Sequence, residues 1–253
     1  MTVPTTKAHL VVAAAEHNAG IGVNGALPWR LKADMRYFAR LTSSAITASF
    51  PIPASHHQSQ PSLYSPPMNI VIMGRRTWES VPLKFRPLKG RINIILSRNS
   101  SFKSQNPDLT VFSTLDDALA HARSLLQLTT VQNPQTQTTL IPRIFIIGGA
   151  SVYTETIARP DCGYIYLTSV KLPADKLANT TFDVFMPPLT TTASLSTDAN
   201  GIGQFRRLAT DEIINNEYVV PKAVAEVCFK ENSLCVFEDG YDYEYQVYEK
   251  LSE

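Results

Sequence analysis

Short apolar runs separated by helix-like segments constrain this chain more than any other feature. His9–Ala15 (HLVVAAA), Asn69–Met73 (NIVIM), Arg91–Ser97 (RINIILS), Leu109–Phe112, Ile144–Ile147 and Tyr164–Val170 all read as strands. Apolar runs without polar alternation belong to strands covered on both faces. Between them lie helical patterns. Thr114 opens a T-x-x-D start through Asp117, ahead of a stripe made by Leu115, Ala118, Leu119, Ala122, Leu125 and Leu126, which is a capping-box-like signal. Strands separated by helices need crossover connections and therefore pair in parallel. The last third alternates polar and apolar residues and ends in Tyr241–Lys250 (YDYEYQVYEK), an antiparallel pattern. The expected fold is α/β: one domain over residues 1–253, with a central, mostly parallel sheet of about eight strands, an antiparallel C-terminal hairpin and helices on both faces.

Charge narrows the classes of function. Lys+Arg 23 against Asp+Glu 22 leave a formal charge of +1, so no global field favours nucleic acid or an anionic membrane, and any phosphate site must be local. Cys162, Cys228 and Cys235 form no CxxC pair, which argues against a disulfide framework, a zinc site or any other metal centre. The start, MTVPTTKAHLVVAAA, is followed at once by Glu16 and His17. It reads as neither a signal peptide nor a membrane span, so a soluble, cytoplasmic protein is expected. From Thr42 to Gly74 there is no Asp, Glu, Lys or Arg, and within that stretch Ser43–Pro67 reads as an inserted surface loop. His56 and His57 sit inside it and, without further ligands nearby, read as a solvated pair. Thr129–Thr139 is a second uncharged insertion.

The stretch LPWRLKADMRYFARL, Leu27–Leu41, holds an acid in an unusual place. Leu31, Asp34, Phe38 and Leu41 share one helix face with Met35 beside them, whereas Lys32, Arg36 and Arg40 fall opposite. Asp34 therefore sits in the apolar stripe with no cation one turn away. Two readings stand: a first-turn acid at a domain rim, favoured by the helix dipole, or a ligand-facing acid at the mouth of a pocket.

Gly20–Gly25 (GIGVNG) has the form G-x-G-x-x-G, but its context is wrong for a dinucleotide turn. Glu16–Ala19 separate it from the strand, Pro28 interrupts the following helix, and no acid lies between Asp34 and Glu79. It reads as a mobile glycine-rich loop beside Asp34. Anion chemistry fits better at Gly74-Arg75-Arg76-Thr77, at Ser97-Arg98 and at Gly148-Gly149 with Ser151 following, because each ends a strand. Any one of these arginines could be a solvated surface charge. Three such strand ends suit a ligand bound at the carboxyl edge of a parallel sheet, and two arginine sites suit a cofactor with more than one phosphate.

In order and spacing, GIGVNGALPWRLKADMRYF, IVIMGRRTW, RPLKGRINIILSR, IFIIGGASVY and YLTSV, with FDVFMP and the terminal YEYQVYEK, resemble dihydrofolate reductase. The insertions near 43–67, 129–139 and 190–235 look like those of enlarged fungal members. The resemblance implies NADPH-dependent reduction of 7,8-dihydrofolate to tetrahydrofolate by hydride transfer, supplying one-carbon metabolism for thymidylate and purine synthesis, in a monomer that antifolates such as methotrexate would inhibit. It assigns the active-site carboxylate to Asp34, its hydrogen-bond partner to Thr168, and a place beside the nicotinamide to Tyr153. Arg91 would grip the glutamate tail, and Val12, Ala13, Met35, Phe38, Val81, Leu88 and Ile147 would line the substrate pocket. Cofactor contacts would come from Ala14, Ile21, Gly22, Gly74, Arg75, Arg76, Thr77, Ser97, Arg98, Gly148, Gly149, Ala150, Ser151 and Val152. Gly148-Gly149 matches the family's cis turn, and Gly20–Gly25 its lid. Two rival readings remain: a pyrimidine reductase of riboflavin synthesis sharing the fold, disfavoured by the Asp34 helix and RPLKGR, and a catalytically silent NADPH- or folate-binding protein. The length leaves no room for a fused thymidylate synthase domain.

Overall fold

The computed structural model describes residues 6–49, 68–129, 131–133, 138–189 and 205–251. In chain order its strands are β1 (Ala8–Ala15), β2 (Gly20–Gly22), β3 (Ile46–Ser49), β4 (Asn69–Gly74), β5 (Arg91–Leu96), β6 (Thr110–Phe112), β7 (Val131–Asn133), β8 (Thr138–Ile141), β9 (Ile144–Ile146), β10 (Cys162–Lys171), β11 (Val184–Phe185), β12 (Phe205–Arg207), β13 (Cys235–Glu238) and β14 (Tyr241–Lys250). The helices are α1 (Lys32–Ser43), α2 (Arg75–Ser80), α3 (Ser100–Gln105), α4 (Leu115–Thr129), α5 (Ala150–Ile157), α6 (Ala174–Asn179), α7 (Thr210–Ile214) and α8 (Lys222–Cys228).

Eight strands run in the order β12-β14-β10-β1-β9-β4-β5-β6, and β13 adds to β14 as a ninth. Pairing is parallel from β10 across to β6, while β12, β13 and β14 run antiparallel at the other edge. The mixed α/β fold is therefore the one read from the apolar runs. Strand alternation explains why those runs are continuous. Leu10, Ile70, Ile72, Ile94, Ile144 and Ile146 face Leu115, Ala118, Leu119 and Ala122 of α4. Val11, Val71, Met73, Ile95 and Phe145 face the other way, toward Leu31, Tyr37 and Leu41 around α1. Thr114 caps α4 as its spacing predicts: its hydroxyl accepts from Asp117 N at 3.2 Å and donates to Asp117 Oδ2 at 2.6 Å. Truncating a fully buried side chain of this layer, such as Leu119→Ala, would cost roughly 2–5 kcal/mol.

The structure corrects three expectations. The first two insertions are not simply surface loops: their described residues form a separate antiparallel sheet, β3-β8-β7, with Ile46 opposite Ile141. ITAS and TTLI, rich in β-branched residues, carried that signal beneath the uncharged composition. His56 and His57 lie outside the described residues. The third insertion, where described, is not only extended. It contributes β12, α7 and α8, and buries Val219, Val220, Val224, Phe229 and Leu234 in the α1-side core. Tyr166 Oη (2.6 Å) and Arg143 Nη1 (3.2 Å) both donate to the Val219 carbonyl, tying this segment to the sheet. Finally, the glycine run is anchored. β2 pairs with β11, Met186 N donates to Ala19 O, and Asn24 N donates to Asp183 Oδ2 at 2.8 Å. A Cβ on Gly20 would stand 2.2 Å from the Phe182 ring, so glycine is needed there for close packing.

Candidate active site

Asp34 is 4% exposed on the first turn of α1, which excludes the rim reading. Thr168, on β10, donates from Oγ1 to Asp34 Oδ1 at 2.7 Å. Burial pushes the carboxyl up to about 6 from an ordinary value near 3.8. The Thr168 hydrogen bond opposes that shift and the nearby charge of Glu238 adds to it. Desolvation outweighs the one hydrogen bond because an ionised carboxylate loses more on leaving water than a single donor returns. The result is a carboxyl able to exchange a proton near neutral pH. Among the described residues, buried Trp29 Nε1 and Tyr37 Oη of the α1-side core have no hydrogen-bond partner.

The expected substrate residues gather on the α1 side, with one exception. Met35 is 45% exposed, and Phe38, Ala13 and Leu88 are partly buried against the α1-side core, which also includes Ile147. Val81 ends α2. The side chain of Val12 is on the wrong face: it packs with Leu10, Ile70 and Ile72 in the opposite core. Successive strand residues alternate faces, so next to Ala13 only the Val12 backbone can reach the α1 side. Arg91 donates from Nη1 to Thr42 Oγ1 at 2.7 Å and from Nε to Lys89 O at 3.0 Å, with its guanidinium 5.8 Å from the Phe38 ring centroid. Among the described residues Nη2 has no protein partner, which leaves one side of the fork for a ligand.

Sequence reasoning missed the residues that hold this set in place. Thr42 aims Arg91, and Thr42 itself donates to Phe38 O at 2.7 Å. Asn93 brackets Leu88, with Oδ1 accepting from Leu88 N and Nδ2 donating to Leu88 O, both at 2.9 Å. Asn93 was visible as the one amide inside RINIILS; Thr42 had no comparable mark.

At the carboxyl edge of the sheet, β4 and β9 end side by side: Gly74 N donates to Gly148 O at 2.7 Å. The Gly148–Gly149 peptide is cis and Gly148 has φ 105°. A Cβ on Gly148 would meet Tyr153 Oη at 3.1 Å, and one on Gly149 would face Thr77 Oγ1 at 3.6 Å. Gly74 and Gly149 are the N-caps of α2 and α5, and neither helix start is satisfied by a side-chain cap. Those N–H groups, with half-buried Ala150 and exposed Ser151 in the first turn of α5, provide donors for an anion. Val152, Ala14 and Gly22 are buried, and Ile21 is half-buried. Arg76 and Arg98 are exposed, with half-buried Ser97 beside Arg98. Arg75, in contrast, is paired with Glu79 at 2.9 Å. Tyr153 donates its hydroxyl to Val11 O at 2.8 Å, and burial holds that phenol well above its ordinary range. Its ring stands behind Gly148, with the hydroxyl fixed on the β1 backbone.

A mostly parallel sheet with uncapped helix starts along one edge, beside a carboxyl buried against an apolar core, fits the class of α/β oxidoreductases. The sequence model of the family described as Dihydrofolate reductase matches residues 9–47 and 67–200. The Heliothis virescens dihydrofolate reductase is 39% identical over 65% of this chain and 74% of its own length. The Cryptococcus neoformans enzyme is 40% identical over 58% of this chain, and the match spans about half (53%) of that relative's length. In fold, the chain is similar to the Schistosoma mansoni dihydrofolate reductase with a TM-score of 0.55, at 24% identity and covering 97% and 99% of the two chains. The chain belongs to the dihydrofolate reductase family.

Proposed function

We propose that this protein reduces 7,8-dihydrofolate to 5,6,7,8-tetrahydrofolate with NADPH, as one reductase domain carrying insertions, and that antifolates such as methotrexate compete for its substrate site. The observation that carries the reading is the Asp34–Thr168 pair: the one buried carboxyl among the described residues, held by one hydroxyl in an apolar stripe of α1 and pushed by burial up to about 6. A pterin offers ring N–H and amino donors that such a carboxylate accepts, and an apolar body that Phe38, Ile147 and Met35 would cover.

NADPH, when bound, supplies the hydride. The strand ends fit such a cofactor: the Gly148–Gly149 turn presents bare backbone at Gly148, whose positive φ disfavours a side chain and where a Cβ would crowd Tyr153 at 3.1 Å, and Arg76 and Arg98 have no ion-pair partner among the described residues. Two such arginines suit a dinucleotide with a 2'-phosphate.

What the chain itself does follows from its geometry. Asp34 orients the pterin and polarises it; its raised proton affinity favours delivery of a proton to N5 through water. Thr168 fixes the carboxyl, and Arg91 fixes the far end of the substrate through its open guanidinium edge. The glycine-rich segment around β2, anchored on β11, would close over the bound reactants and exclude water. Tight placement of the two reactants accounts for most of what the protein must supply. The test is loss of the nicotinamide absorbance of NADPH on adding dihydrofolate. A silent binding protein would show no such loss.

A further inference from the structure

Helix α1 begins without a cap of its own. Leu31 occupies the N-cap position and offers no side-chain acceptor. Glu238, at the end of β13 and 206 residues away from Lys32, fills that role. Its Oε1 accepts from Lys32 N at 2.8 Å and its Oε2 from Ala33 N at 3.0 Å. Tyr243 then donates from its hydroxyl to the same Oε2 at 2.9 Å. Asp34 is the next residue in the chain.

We propose that Glu238 is a positioning residue for the reductase site, holding the first turn of α1 and setting the electrostatic surroundings of Asp34. The inference rests on the reading in which Asp34 serves dihydrofolate reduction. Two free N–H groups at a helix start are unsatisfied donors, and a carboxylate placed there gains from both hydrogen bonds and the dipole. The β13–β14 hairpin makes the placement rigid, because Glu238 pairs with Tyr241 across a turn in which Asp239 and Gly240 have φ 51° and 83°. Desolvation pushes the Glu238 carboxyl up, but donors from Ala33, Lys32 and Tyr243 outweigh it and hold the group below its ordinary range. Glu238 is thus ionised at neutral pH.

The groups that face Asp34 come from four elements. Thr168 on β10 favours its ionised form, and Glu238 on β13 disfavours it. Tyr37 on α1 and Tyr243 and Tyr245 on β14 are neutral phenols, driven upward chiefly by burial. Lys32 acts on Glu238. Glu238 is the charged member of the set facing Asp34, so it decides how far burial is reinforced.

The test follows the Asp34 carboxyl by carbon NMR titration in the full chain, with Asp34→Asn identifying the signal. Glu238→Gln keeps the shape and removes the charge. The Asp34 midpoint should fall by about half a unit, and hydride transfer in single turnovers above pH 7 should slow roughly threefold. A lower melting temperature with an unshifted or higher midpoint overturns the proposal, since a purely structural cap would behave that way. Should Glu238→Gln fail to fold, Tyr243→Phe decides. Removing the donor raises the proton affinity of Glu238, so Glu238 carries less charge through the window in which Asp34 titrates and the Asp34 midpoint should fall; an unchanged or higher midpoint overturns the proposal. Absence of dihydrofolate turnover by the wild-type chain, with the titration shift present, would sink the reductase reading and leave the role of Glu238 toward Asp34 intact.

Discussion

Thr168 and Asp34, 134 residues apart in sequence, meet at 2.7 Å between Oγ1 and Oδ1. Their contact joins the sheet to α1 at the point where chemistry is proposed. Because this hydrogen bond favours the ionised carboxylate, removing it raises the proton affinity of Asp34 further. Thr168→Val is expected to move the midpoint of the pH–rate profile above about 6 and to lower kcat/KM roughly tenfold. Steady-state rates across pH check this; an unmoved midpoint would contradict it.

Asp34 costs stability. Unfolded, its carboxyl ionises near 3.8; folded, near 6. Between those values the native state holds a proton that the unfolded chain has lost, so stability falls as pH rises through the window and the full cost stands above it. The difference corresponds to at most about 3 kcal/mol. Asp34→Asn should therefore raise the melting temperature at pH 7.5 by up to about 10 °C and give no gain below pH 4. Calorimetry at the two pH values checks this, and a lower melting temperature at pH 7.5 would be the wrong sign.

Arg91 is held by Thr42 and Lys89 with one guanidinium edge open. Arg91→Ala should weaken dihydrofolate and methotrexate binding by about 2 kcal/mol, some thirtyfold, while NADPH affinity stays unchanged. Titration calorimetry with the three ligands reads this directly. Affinities for both folates within twofold of wild type would remove Arg91 from the site.

Much of this arrangement is legible in the sequence because it is local. The strands announce themselves as apolar runs, and Asp34 as an acid in an apolar stripe. Gly148–Gly149 and the arginines after β4 and β5 lie at strand ends, where a parallel sheet binds ligands. What is not legible depends on contacts far along the chain. The pairing of β3 with β8 joins two segments that each looked like a loop. Glu238 caps α1 from 206 positions away. Arg75, read as a phosphate contact, is paired with Glu79 one turn on. Val12 could not be assigned to a face until the register of β1 against β9 and β10 was known.

That difference among the arginines predicts their ranking toward the cofactor. Arg98 and Arg76 are exposed, whereas Arg75 is held by Glu79. Arg98→Ala should reduce the preference for NADPH over NADH about tenfold or more, and Arg75→Ala far less. Comparing kcat/KM for the two cofactors in each variant tests the ranking, and equal losses would contradict it.

The central claim is that buried Asp34 serves the reduction of dihydrofolate, and one assay addresses it most directly. NADPH oxidation is followed at the nicotinamide absorbance band with and without dihydrofolate, in the wild-type chain and in Asp34→Asn, alongside NADPH binding by fluorescence. The account predicts oxidation that depends on dihydrofolate and falls at least about a hundredfold in the variant, with NADPH affinity preserved. Oxidation at the wild-type rate in Asp34→Asn, or none in either protein, would contradict it.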